Sequence, residues 1–401
     1  MKKVLSLVLA LIMCLSLVSF ASAEGYSGEI KIWVAEAAVE FTKAQVEVFK
    51  AQNPEYANMT VLVQPVGEGD AAGNMITDVE AGADIFGFAQ DQLARLVSAG
   101  ALEEVEPGNA EIIKAANDPG SVSAVTLGGT MYAYPMTSDN GYFLYYDKSV
   151  VTDPTSLEKI LEDCEAAGKK FYMEINNGWY QVAFFFGAGC ELTFDSDDSG
   201  ALVAMNASYA SENGVKALKA MIDMAKSPAY VNGSSVSNAS NLAAIVDGVW
   251  DSNPAKEAFG ENYAATKLPT VAGFQLGGFG GFKLLGVKPQ TDEDKLAACD
   301  ALAAFLSSGD VQLARYKELG WGPSNLAAQQ SEEVQADVAL SALAAQLAFC
   351  APQGQYPGNY WSLATALGDD VLAKKLDDAD DAKLLETLKT FEATCETYLD
   401  K

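Results

Sequence analysis

The chain has 401 residues, with 26 lysines and arginines against 54 aspartates and glutamates, no histidine, and a formal net charge of −28. Such acidity repels nucleic-acid phosphates and anionic lipid, and argues against either as a partner. Without imidazole, Ser-His-Asp and Cys-His catalysis and every histidine-based zinc site are excluded, so acid–base work would fall to carboxylates, lysine or tyrosine.

The first segment is an address. Lys2-Lys3, the apolar run VLSLVLALIMCLSLV and Ala21-Ser22-Ala23 form a secretory signal with cleavage expected after Ala23. Cys14 has no clear lipobox around it, because Met13 is too large, so release to the extracellular or periplasmic space is expected. No later stretch is long and apolar enough to span a bilayer. The remaining chain is too long for one ordinary core and predicts two domains. Its five cysteines, Cys164, Cys190, Cys299, Cys350 and Cys395, are scattered and odd in number. Free, mostly buried thiols are expected, with at most one incidental bridge.

After the signal, strand and helix signals alternate. GEIKIWVA (28–35), MTVLVQPV (59–66) and ADIFGFA (83–89) predict strands. Between and after them, residues 36–54, residues 69–82 and QDQLARLVSAG predict helices, the first stopped by Pro54 and the last by Gly100. Short connections between such elements imply parallel pairing with crossover helices, an α/β domain. A second alternating set begins with YFLYYD near residue 141, and the last hundred residues turn strongly helical. Glycine and proline punctuate GGTMYAYP (128–135) and LPTVAGFQLGGFGGF (268–282), the expected passages between domains. DDADD (377–381) lacks the spacing of a calcium loop, and no metal site is expected.

Three of the five tryptophans share a habit. Trp179 opens a helix after Asn176-Asn177-Gly178, Trp250 follows Asp247-Gly248 at a strand end, and Trp361 starts a helix beside Tyr360 after Tyr356-Pro357-Gly358. Large rings at element ends are where α/β folds bind ligands. Trp33 is assigned to core packing and Trp321 to plugging a domain end. A sugar ring suits such a surface, because its C–H face covers an aromatic ring while its hydroxyls need polar partners. Glu36, Glu68 and Asp70 follow the first two strands, Asp91 and Gln92 the third, and Asp139 and Asn140 sit in the polar knot Ser138-Asp139-Asn140-Gly141. Each acid also fits a helix-capping role, which is the assignment for Asp70; Asp91 is assigned to a ligand.

The ordered set GEIKIWVAE, ADIFGFAQDQLARLVSAGALEEV, MYAYPMTSDNGYFLYYDKS, IVDGVW, LPT…GGFGGFKLLGV and NYWSL resembles family-1 extracellular solute-binding proteins, and among them the maltose- and maltodextrin-binding proteins. The resemblance implies a two-lobed, type II periplasmic-binding-protein-like fold with a hinge of crossover strands. Lobe one would hold residues 24–136 and about 283–331, and lobe two residues 137–282 and about 332–401. It further implies a cleft that closes on a linear oligosaccharide, for delivery to the membrane subunits of an ABC importer. By position, Asp91 matches an acid that bonds glucose hydroxyls, and Trp250 and Trp361 match stacking tryptophans. Trp179 matches a stacking tyrosine, with Tyr180 and Tyr360 beside the two helical tryptophans. Phe88 stands where the family has a tryptophan and Gln92 where it has an arginine. Asp139 or Asn140 matches a cleft glutamate, Glu68 lies near another cleft acid, and Glu36 is assigned by position alone.

The expected function is therefore capture of maltooligosaccharides by a monomer without cofactor or catalysis. Two rivals stand beside it. Paired carboxylates without histidine suffice for a glycoside hydrolase, although the candidate acids are expected in open polar turns rather than apolar pockets. A surface interaction protein of the same fold that has lost its sugar is the other.

Overall fold

The computed structural model describes residues 25–400, so the expected signal segment, residues 1–23, lies outside the described residues. Two sheets organise it. Strands are labelled β1 (Glu29–Val34), β2 (Thr60–Pro65), β3 (Ile85–Ala89), β4 (Tyr134–Asn140), β5 (Tyr142–Asp147) and β6 (Lys170–Tyr172). They continue as β7 (Tyr230–Val231), β8 (Leu242–Gly248), β9 (Tyr263–Thr266), β10 (Gly278–Val287) and β11 (Cys350–Pro352). The first sheet runs β11-β10-β3-β1-β2, with β4 also paired to β10. The second runs β7-β6-β8-β5-β9.

In the first sheet β1 pairs in parallel with both β2 and β3, as the strand–helix alternation requires. β3 is buried along nearly its whole length because helices cover one face and β10 closes its far edge, antiparallel. The intervening helix Val39–Gln52 ends at Asn53, just before Pro54. The helix expected over 69–82 is shorter, Ala71–Thr77. Each sheet has its own core. Ile30, Ile32, Phe86, Phe88, Leu284, Leu302 and Trp321 belong to one, and Tyr142, Phe171, Phe184, Leu218, Tyr360 and Phe391 to the other. A third cluster, with Phe143, Ile245 and Leu343, packs separately against other side chains of β5 and β8. The molecule is two-lobed.

The chain passes between lobes along β4 and β10, and Gly141 alone separates β4 from β5. A Cβ on Gly141 would approach Leu343 Cδ1 to 2.8 Å and the Phe279 carbonyl oxygen to 3.2 Å, a crowding that glycine avoids. The expected passages, 128–135 and 268–282, overlap these strands at their C-terminal ends, Tyr134-Pro135 in β4 and residues 278–282 in β10. Gly128 and Gly129, both at positive φ, turn a small hairpin between Thr126–Leu127 and Thr130–Met131. Residues 270–275 likewise form a local hairpin. The crossing strand β4 is built of YPMTSDN, whereas β10 carries Gly278, Gly280, Gly281 and Gly286 within its length. The knot Ser138-Asp139-Asn140 is thus strand rather than turn. Cys164, Cys190, Cys299, Cys350 and Cys395 are free thiols, four of them buried. No described helix is long and apolar enough to cross a membrane.

Candidate functional site

A cavity of about 1280 Å³ opens between the lobes. That exceeds the roughly 300–1,000 Å³ of ordinary small-molecule sites, which leaves room for an extended ligand. Strand and helix ends supply its walls. From the first lobe come Glu36, after β1, Glu68 and Asp70, after β2, and Asp91 and Arg95, after β3. Trp179 and Tyr180 come from the first turn of helix Gly178–Gly187, Trp250 from the end of β8, and Trp361 from helix Gly358–Leu372.

The aromatic wall is cross-braced. The Trp179 ring meets Tyr142 and Tyr180 edge-on at 4.7 and 5.0 Å between centroids, and lies 5.8 Å from Trp250. Trp361 is held against Tyr356 and Tyr360 at 5.5 and 4.9 Å. Gly178 lets the two helices meet: a Cβ there would come within 2.6 Å of Ala364 and 3.4 Å of the Trp361 ring. All three indoles remain half-buried, so each keeps a face toward the cavity.

The polar wall centres on Asp91, which is 2% exposed. Gln353 Nε2 donates to Asp91 Oδ1 at 2.8 Å, while Gln353 Oε1 accepts from Trp179 Nε1 at 3.1 Å and from Asn140 Nδ2 at 3.2 Å. One amide thereby ties the first lobe's acid to the second lobe's indole and to the hinge. Burial pushes the Asp91 carboxyl up to about 7, against the pull of a backbone N–H, the Arg95 guanidinium and Gln353. The expectation that the acids lie only in open polar turns is therefore wrong for Asp91. It is wrong for Asp139 too, whose carboxyl is pushed up by burial against the pull of Lys283; Asp247, not among the candidate acids, is raised well above the ordinary carboxylate range by burial and then by the Asp251 charge. Tyr180 Oη donates to Asp247 Oδ1 at 3.3 Å behind the wall.

Of the residues singled out from sequence, Glu36, Glu68, Asp91, Gln92 and Asn140 line the cavity, with Trp179, Tyr180, Trp250 and Trp361. Three do not. Phe88 and Tyr360 are fully buried in the two cores, where strand alternation and the inner helix face put them. Asp139 is 1% exposed and accepts from the Gly322 N–H, because neighbours along β4 point to opposite sides and Asn140 takes the cavity side. Gln92 reaches the wall with its amide already used: Nε2 donates to the carbonyls of Glu68 and Gly69, and Oε1 accepts from Ala72 N–H. It positions the Glu68 loop. Asp70 precedes helix Ala71–Thr77 but makes no side-chain cap bond, and its side chain borders the cavity instead.

Sequence reasoning missed Gln353, Lys283, Arg95 and Glu174, and did not foresee that Trp321, buried in the first core, also borders the cavity. Only Trp321 carried a signal, its position before the Gly322-Pro323 turn. Trp33 is half-buried rather than central, with Nε1 donating to Gln64 Oε1 at 3.1 Å.

A profile of bacterial extracellular solute-binding proteins matches residues 41–342. The chain belongs to that family. A solved structure described as being with acarbose is 28% identical to this solute-binding protein, with a TM-score of 0.79, covering 92% of this chain and 98% of its own. The maltodextrin binding protein MalE1 from L. casei BL23, solved without ligand, is 24% identical over 91% of this chain and 98% of its own, with a TM-score of 0.73. The Thermus thermophilus maltotriose binding protein, bound with maltotriose, is 20% identical over 90% and 98%, with a TM-score of 0.75. These last two establish the fold, which is the periplasmic-binding-protein-like architecture. No curated protein matches.

Proposed function

We propose that this solute-binding protein captures linear maltooligosaccharides between its lobes and delivers them, as a secreted monomer, to the membrane subunits of an ABC importer. The observation that carries the reading is the meeting of three half-buried indoles and the buried carboxyl of Asp91 around one cavity. The indoles cover the C–H faces of successive pyranose rings, and Asp91, Glu68, Asn140 and Glu36 take hydroxyls along their rims. Tyr180 backs Trp179. The 28%-identical structure with acarbose supports an oligosaccharide-like ligand.

In this reading the lobes, residues 24–136 with about 283–331 and residues 137–282 with about 332–401, swing about β4 and β10. A ligand favours the closed state only through contacts with both lobes. The acids of one wall and the indoles of the other supply them. Calorimetry against maltose, maltotriose, maltotetraose and their β-linked counterparts tests the proposal. Saturable heat with the α-linked series is expected, and no heat with any sugar refutes it.

One observation favours a hydrolase: an acid held near pH 7 is what a glycosidic general acid needs. Against it, Asp91 is engaged by Gln353, and the family is one of binding proteins. Incubation with labelled maltotetraose separates the two. The sugar should be recovered intact, and shorter products would favour the hydrolase.

A further inference from the structure

Beneath Trp250, at the hinge end of the cavity, lies a group of polar atoms that the protein itself leaves without partners. Lys283, on β10, is 6% exposed and borders the cavity. Its Nζ lies 4.7 Å from the centroid of the Trp250 ring and 4.1 Å from that of Trp321, and makes no hydrogen bond or ion pair among the described residues. Trp321, 2% exposed, leaves Nε1 without an acceptor, and Glu68 leaves Oε1 without a donor. All three residues border the same cavity.

Two faces of a buried ammonium can rest on indole rings, but its N–H bonds still require oxygen acceptors, and leaving them unmade is costly. The cavity also decides which acceptor fits. Six acidic side chains, Glu36, Glu68, Asp70, Asp91, Glu174 and Asp251, line it against only Arg95 and Lys283, so a carboxylate or phosphate on the ligand is repelled. Arg315 and Asp139, buried behind the floor, lie within electrostatic reach of one another, and Lys283 and Glu68 within reach of Asp139, so the local charge is already balanced. A neutral hydroxyl pair matches what is left. One oxygen accepts from Lys283 or Trp321, and one hydroxyl proton goes to Glu68.

We propose that Lys283, Trp321 and Glu68 form a subsite that holds the uncharged vicinal hydroxyls of the sugar unit nearest the hinge, with Lys283 as its specificity-determining donor. This rests on the oligosaccharide reading above. Because Lys283 stands on β10 itself, filling the subsite couples ligand to the strand about which the lobes move.

Calorimetry of Lys283→Met with maltotriose is the test. Loss of the charged donor should weaken binding roughly 10- to 100-fold, and the melting temperature of the unliganded variant is measured beside it. Unchanged affinity overturns the subsite while leaving the oligosaccharide reading standing. Absence of maltotriose binding by the parent protein overturns both. A maltotriose analogue ending in a uronate should bind more weakly than maltotriose, and tighter binding overturns the neutral assignment. If Lys283→Met melts lower, the parent protein decides through reductive methylation read by mass spectrometry. Lys283 should be modified in the free protein and protected by saturating maltotriose. Equal modification in both states, or none in either, overturns the proposal.

Discussion

The two walls of the cleft are built on opposite plans. The first lobe presents carboxylates and amides on short turns that follow parallel strands, fixed by main-chain bonds such as those Gln92 makes to the Glu68 loop. The second lobe presents indoles braced by other rings, Trp179 against Tyr142 and Tyr180, and Trp361 against Tyr356 and Tyr360. On the proposed oligosaccharide reading, apolar ring contacts would supply most of the binding energy, because water is released from both faces. Polar groups, which exchange one hydrogen bond for another, mainly set orientation and register. The contrast teaches that the walls are separable by substitution: losses on the aromatic side should be large, and losses among exposed acids small.

The hardest blow to that contrast is Trp179→Ala. It removes a stacking face, the brace on Trp250 and the donor to Gln353, and should weaken maltotriose binding by roughly 2–3 kcal/mol. Calorimetry measures it, and a loss below threefold would erase the distinction between the walls. Asp91→Asn probes the other side through stability. The folded carboxyl keeps its proton up to about 7, against an ordinary value of 3.8, so the folded state binds more protons than the unfolded one between those limits. This group's contribution therefore favours folding at low pH and is lost as pH rises from about 4 to about 7. Denaturation of the unliganded Asp91→Asn variant at pH 8 should show it more stable than the parent by on the order of 4 kcal/mol, with the difference vanishing near pH 4. A constant difference across that range would contradict the assignment. Smallest of all, Glu36→Gln should shift maltotriose affinity by no more than about 0.5 kcal/mol, since Glu36 is exposed and its neutral replacement keeps an acceptor. A tenfold loss would make the first loop part of the specific wall.

Local pattern made much of this architecture legible. The parallel start β1, β2 and β3 and the strand β5 stand where alternation put them, since burial on one or two faces writes itself into the order of apolar residues. The three cleft tryptophans were legible for a related reason: a large ring at an element end has no core of its own to enter. Asp91 was found as a residue but not as an environment. Its burial depends on Gln353, 262 positions further on, and no short-range signal links the two. Lys283 was invisible because a lysine in an apolar strand looks like a solvated interruption until two indoles from other segments are seen around it.

Composition and order alone thus determined an acidic, histidine-free chain with two alternating α/β sets and rings placed at the ends of their elements. These properties depend on each residue and its near neighbours, which the sequence contains directly. The tertiary structure decided which face of β4 meets the cavity, so that Asn140 borders it and Asp139 does not, and which of the acids lost their water. Those outcomes depend on desolvation and on contacts between segments far apart in the chain, such as Asp91 and Gln353, and such contacts exist only in the folded molecule.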